Sequence, residues 1–232
     1  QKMKAMILAA GLGTRMRPLT NTIPKALVEV NGVKLIDHSI GQLRKYGIAE
    51  IVINLGYRGD CIRSHLGDGS RHGVSITYTE ENADHLLGAG GGVKNALSFL
   101  GKGVFLLCSA DIWTDYALEN LIKQKHARRN HILLVNNPNY HPQGDFYLNQ
   151  HGQVISSKIN NVTYAGIGVF CPSYFSEIDD HIFSLGRVIK KSIGEGVCFG
   201  EKITTGVYRN LGTPEDIAQL TNELSLQSSE PV

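Results

Sequence analysis

The apolar run Met6-Ile7-Leu8-Ala9-Ala10 opens directly into Gly11-Leu12-Gly13-Thr14-Arg15-Met16-Arg17-Pro18, and Pro24-Lys25-Ala26-Leu27 follows. A strand that ends in a glycine turn brings backbone N–H groups against an anion, and Arg15, Arg17 and Lys25 supply charge to neutralise it. The spacing excludes two commoner glycine loops. Met16 stands where a dinucleotide fingerprint needs its third glycine, and no Gly-Lys-Ser/Thr follows as in a P-loop. The segment reads as a polyphosphate site of another kind.

The pattern downstream places that loop in an alternating architecture. Residues 4–9 are expected to form a buried strand, and residues 35–46 an amphipathic helix with Ile36, Ile40 and Leu43 on one face, stopped by Gly47. Strand and helix then alternate through 51–54, 60–66, 74–79, 92–100 and 104–108, followed by a helix over 115–129 and a strand over 132–136. This order predicts right-handed βαβ units and a mostly parallel sheet, with ligands bound beyond the carboxyl ends of the strands. Both the Gly11 loop and Asp111 fall there. Thr114 and Asp115 are expected to cap the 115–129 helix. Residues 145–148 and 154–159 flank the turn Gln150-His151-Gly152, and 163–170 adds a strand, so this stretch is expected to wall the sheet edge. Thr213 and Pro214 supply an N-cap and first-turn proline for a last helix carrying Ile217, Leu220 and Leu224, with a frayed tail from Ser225.

Composition narrows the partners. With 232 residues, 42% hydrophobic positions and a formal net charge of +2, the chain has the makings of one well-cored unit but no basic surface for nucleic acid. Residues 1–232 are expected to form a single domain. Cys61, Cys108, Cys171 and Cys198 are isolated, without metal-site or redox spacing, which fits free thiols in a reducing compartment. No apolar run has bilayer length, and none reads as a signal peptide, so a cytoplasmic protein without membrane partners is expected.

The Gly11-x-Gly13-Thr14-Arg15-Met16-x-Pro18 loop with its Pro24-Lys25-x-Leu27 segment resembles the signature of the sugar-1-phosphate nucleotidylyltransferases. Gly67-Asp68-Gly69-Ser70 and Tyr78-Thr79-Glu80 also match, so the likeness extends over nearly the whole chain. The segments Asp111-Ile112-Trp113-Thr114-Asp115-Tyr116 and Asn137-Pro138-Asn139-Tyr140-His141-Pro142-Gln143-Gly144-Asp145-Phe146 look most like the N-acetylmuramate-1-phosphate uridylyltransferase subgroup. The resemblance implies a Rossmann-like, mostly parallel sheet flanked by helices, with a small β-rich insertion on the sugar side. It implies attack of a sugar-1-phosphate, N-acetylmuramate-1-phosphate in the subgroup, on the α-phosphorus of a nucleoside triphosphate, UTP in the subgroup. Mannose-1-phosphate, glucose-1-phosphate and phosphocholine are alternative acceptors. No repeats of the kind that follow the core in several relatives are present.

On this resemblance Arg15, Lys25 and Asp111 carry the chemistry. Ala10, Gly11, Gly13, Thr14, Gly90 and Gly91 would bind the nucleotide, and Gly144, Asp145 and Thr163 the sugar. Mg²⁺ would sit on Asp111 and Asn210. Asn210 departs from the family pattern, which has an aspartate in a W-x-D-x-G-T run where this chain reads Tyr208-Arg209-Asn210-Leu211-Gly212-Thr213. An amide oxygen ligates Mg²⁺ without adding negative charge. This departure makes a catalytically weak nucleotide- or sugar-binding homologue the alternative reading.

Overall fold

In the computed structural model, residues 2–227 are described. Seven strands form one sheet: β1 (Ala5–Leu8), β2 (Glu50–Leu55), β3 (Ser75–Glu80), β4 (Phe105–Ser109), β5 (Asn130–Val135), β6 (Thr163–Phe170) and β7 (Cys198–Lys202). Their spatial order is β7-β5-β6-β4-β1-β2-β3. β1 runs parallel to β2 and β4, β2 parallel to β3, and β5 parallel to β7. Only β6 is reversed, antiparallel to both β4 and β5. Five helices of two turns or more flank the sheet: α1 (Leu35–Lys45), α2 (Gly59–Leu66), α3 (Gly88–Leu100), α4 (Leu185–Gly194) and α5 (Pro214–Gln227).

Successive strand residues point to opposite faces, and here both faces are covered. Ala5, Ile7, Ile51 and Ile53 pack with Ile36, Ile40 and Leu43 of α1 and Ile62 of α2. Met6 and Val52 pack on the other side with Val93 and Ala96 of α3 and Val188 and Ile189 of α4. The central strands are therefore apolar without alternation, as a sheet enclosed between helix layers requires. α5 closes a third cluster, in which Ile217 and Leu220 meet Met16 behind the glycine loop.

Several expectations need correction. Residues 163–170 do not wall the sheet edge; they lie in its interior as β6, because Ala165, Ile167, Val169 and Phe170 are all buried. The hairpin outside the sheet is short, Tyr147–Leu148 against Val154–Ile155. The helix expected over 115–129 is one turn, Glu119–Ile122. Thr114 and Asp115 do not cap it; the Thr114 hydroxyl donates to the Val207 carbonyl at 2.7 Å and Asp115 accepts the Val207 N–H at 2.6 Å. Beyond Ile122 the polar run 123–129 has no apolar face to bury. α3 starts at Gly88, so the glycine cluster lies inside the helix instead of in a turn before it.

At the C-terminal helix the capping expectation is met. Thr213 Oγ1 accepts the Asp216 N–H at 3.3 Å and Asp216 accepts the Thr213 N–H at 2.9 Å, a reciprocal capping box. The helix continues through Ser225 to Gln227, so fraying does not begin at Ser225; the remainder of the tail lies outside the described residues. All four cysteines are free, and burial pushes the Cys108 and Cys198 thiols up to about 12. Among the described residues no helix is long and apolar enough to cross a membrane.

His131 on β5 supplies a pH-dependent element of stability. Burial, with His126 beside it, holds its imidazole down at about 4 from an ordinary 6.5. The unfolded chain therefore takes this proton first, and stability falls as pH drops from about 6.5 to about 4. Urea midpoints at pH 7 and pH 4.5 should differ less for His131→Gln than for the parent chain.

Candidate active site

The carboxyl ends of β1 and β4 open onto a cleft of about 340 Å³. Its floor is the glycine loop. Gly13 takes a left-handed φ of +63°, and a Cβ there would lie 3.1 Å from Thr20 Cγ2 and 3.2 Å from Lys25 Cβ. Glycine suits this tight, left-handed turn, and Thr20 Oγ1 secures it by donating to the Gly13 carbonyl at 2.7 Å. Among the described residues no backbone carbonyl takes the amides of Gly11, Leu12, Gly13 or Thr14. They remain donors for an incoming anion.

Lys25 reaches across the cleft from a short 3₁₀ turn, Lys25–Leu27, to Asp111 just beyond β4. Nζ stands 2.8 Å from Asp111 Oδ2, with the two side chains 17% and 28% exposed. Arg15 lines the same cleft, its guanidinium lying over Gly212, where a Cβ would approach Nη1 to 3.2 Å. Arg15, Lys25 and Asp111 are thus brought together, along with Ala10, Gly11, Gly13 and Thr14.

The segment that carries Asn210 meets the backbone at Asp111. A two-stranded ladder pairs Tyr208–Asn210 with Ile112–Thr114, placing Asn210 opposite Ile112, and the Leu211 N–H donates to the Asp111 carbonyl at 2.9 Å. The Asn210 side chain is exposed. The pair offers a carboxylate and an amide oxygen, hard donors that fit Mg²⁺ in company with phosphate oxygens.

Gly90 and Gly91, expected at the nucleotide, do not line this cleft. A Cβ on Gly90 would strike the Phe183 ring and one on Gly91 the His181 carbonyl, so both glycines are there for close packing of the 181–184 segment. Gly88 and Ala89, earlier in α3, line the cleft instead. Gly144, Asp145 and Thr163 cluster with one another but do not line this cleft. Asp145 accepts the Tyr164 N–H at 2.9 Å and pairs with His141 at 2.9 Å, while Thr163 Oγ1 donates to Asn137 Oδ1 at 3.0 Å. Tyr208 joins the two regions. Its hydroxyl donates to the Ala165 carbonyl at 3.0 Å, and burial, then the neighbouring Tyr140, Asp111 and Asp145 charges, push its phenol up.

Sequence reasoning missed the wall opposite the loop. Asn54, the penultimate residue of β2, is buried; its Oδ1 accepts the Ala9 N–H at 2.8 Å and its Nδ2 donates to Glu81 Oε1 at 2.6 Å. Glu81 Oε2 accepts the Leu87 N–H at 3.0 Å, fixing the approach to α3. An asparagine set within the apolar run Ile51–Leu55 is the sequence signal for it.

The residues from 4 to 147 match the nucleotidyl transferase family. The chain is 38% identical over 218 residues to an N-acetylmuramate alpha-1-phosphate uridylyltransferase of Neisseria meningitidis, covering 91% of this chain and 94% of that one. The chain belongs to the sugar-1-phosphate nucleotidylyltransferase family. A Caulobacter vibrioides protein of the same name is 33% identical, covering 96% of each chain. The crystal structure of HddC from Yersinia pseudotuberculosis superimposes with a TM-score of 0.78 at 20% identity, covering 96% of this chain and 99% of that one, which shows the shared fold. The family's reaction class is transfer of a nucleotidyl group to a sugar-1-phosphate.

Replacing Asn54 by Ala would leave the buried Ala9 N–H without an acceptor and free Glu81 from its partner. A loss of about 1–3 kcal/mol is expected in urea unfolding, together with weaker nucleotide binding in calorimetry.

Proposed function

We propose that this protein transfers a uridylyl group from UTP to N-acetylmuramate-1-phosphate, releasing pyrophosphate. The observation that carries the reading is the Lys25–Asp111 pair at the mouth of a glycine-loop cleft, a cation and an anion held where two anionic reactants must meet. The choice of base and sugar rests on the two relatives of that name, which align with this chain over more than nine-tenths of their length. A mannose-1-phosphate guanyltransferase of Aspergillus oryzae is 28% identical, and this chain spans only 69% of it.

The chemistry follows from charge. The nucleophile is already a phosphate oxygen, so no base is needed to deprotonate it; catalysis rests on positioning and neutralisation. The amides of Gly11, Gly13 and Thr14 cradle the triphosphate, and Arg15 neutralises its outer phosphates. Lys25, released from Asp111, bridges the α-phosphate and the acceptor phosphate, drawing two mutually repelling anions into line. Asp111 and Asn210 would hold Mg²⁺, whose charge stabilises the negative charge growing on the departing pyrophosphate. Gly144, Asp145 and Thr163, linked to the cleft through Tyr208, would shape the acceptor side.

The test is pyrophosphate release with UTP, GTP and dTTP against a panel of sugar-1-phosphates. Turnover confined to UTP with N-acetylmuramate-1-phosphate supports the proposal, and a preference for another pair replaces it. Lys25→Ala and Asp111→Asn should each lower kcat by on the order of 10²-fold or more. Asn210→Asp should lower the Mg²⁺ concentration for half-maximal rate. A second reading, a nucleotide-binding homologue with little turnover, draws on Asn210 alone; nucleotide binding without turnover under any of these conditions would establish it.

A further inference from the structure

A second group of ligand-type side chains lies outside the cleft. Asp37 on the first turn of α1, His65 on the last turn of α2 and His72 in the 3₁₀ turn Ser70–His72 converge with their ligand atoms within 4.8 Å of one another. His65 Nε2 lies 2.8 and 2.9 Å from the two Asp37 oxygens. His72 Nδ1 stands 4.0 Å from Asp37 Oδ1, and the two imidazoles meet edge to face at 5.9 Å. Each side chain is about a quarter exposed, so an ion could reach the group.

The arrangement is built by the backbone. Gly69 and Gly73, at φ +87° and +70°, bracket the turn that carries His72, and a Cβ on Gly69 would lie 2.7 Å from Ile76. Arg44 donates to the His72 carbonyl at 3.4 Å and Arg71 to the His65 carbonyl at 3.2 Å, so both nearby guanidiniums are engaged by main chain at the two histidines. The Asp37 bond accounts for the orientation of His65. No hydrogen bond among the described residues accounts for that of His72, whose ring nitrogen is directed at the same carboxylate from too far away to bond it.

We propose that Asp37, His65 and His72 form a binding site for one divalent transition-metal cation of the Zn²⁺ type, which staples α1, α2 and the 70–72 turn together. Two imidazole nitrogens and one carboxylate oxygen are the donor set such ions take, with water in the fourth position. Tetrahedral coordination at Zn²⁺ bond lengths separates ligand atoms by about 3.3 Å. The observed spacings fall on either side of that value, so side-chain adjustment alone closes the site. Mg²⁺ prefers oxygen ligands and is a poor competitor here. None of the three residues lines the catalytic cleft, so the site stands whether or not the proposed activity does.

The experiment is calorimetric titration of Zn²⁺ into tag-free, metal-stripped full chain in excess Mg²⁺, with thermal melts of the same samples. One Zn²⁺ per chain is expected, with a raised Tm, and His72→Gln and Asp37→Asn should each weaken binding at least tenfold. Asp111→Asn should leave it unchanged. Absence of stoichiometric binding, or binding indifferent to both His72→Gln and Asp37→Asn, would overturn the proposal. Co²⁺ added to the unmutated chain provides a readout that needs no variant: intense visible absorption from a low-coordinate nitrogen and oxygen site supports it, and the weak spectrum of hydrated Co²⁺ contradicts it.

Discussion

The Lys25–Asp111 ion pair ties together the two halves of the cleft. Lys25 arrives from the segment that folds back beneath the glycine loop, Asp111 from the end of β4, and β1 between them carries the loop itself. Each charge neutralises the other, which lets both sit partly buried. The pair holds a cation and an anion at the same point, and on the proposed function they would part when a polyphosphate and its counter-ion offer each a stronger partner. Gly13 favours this geometry, since its left-handed φ strains a side chain and a Cβ there would crowd Thr20 and Lys25.

The sheet topology places the remaining chemistry. With β6 reversed between β4 and β5, the chain returns past the cleft, and the Tyr208–Asn210 segment pairs with the residues directly after Asp111. One short ladder thereby brings the backbone at Asn210 and Leu211 alongside Asp111 and Ile112, and Tyr208 feels the charges of both Asp111 and Asp145. On the proposed function, an amide where the family pattern has an aspartate would offer the ion an oxygen donor without its negative charge. The expected consequence is a higher demand for free Mg²⁺, with the alignment of the reactants unaltered.

How much of this was legible follows from the range of each interaction. The glycine loop, Lys25 and Asp111 could be read because they lie within short, rigidly spaced segments, and α1 because Ile36, Ile40 and Leu43 repeat at helical spacing. At Gly90 and Gly91 the sequence is ambiguous, since a glycine packed against Phe183 and His181 looks in sequence like one that meets a ligand. Residues 163–170 read correctly as a strand, but their place in the sheet interior depends on partners far along the chain. Thr114 and Asp115 have the chemistry of helix caps; only the distant Val207 shows that they serve as a clamp. Asn54 and Glu81 form one wall of the cleft through bonds between different strands and helices, which no local pattern encodes.

The most direct test is a crystal structure of the protein with Mg²⁺ and a uridine diphosphate sugar, the product of the proposed reaction. The account predicts the diphosphate on the amides of Gly11 to Thr14, the ion on Asp111 and Asn210, and Lys25 moved from Asp111 onto phosphate. An intact Lys25–Asp111 pair with the diphosphate bound elsewhere would contradict it.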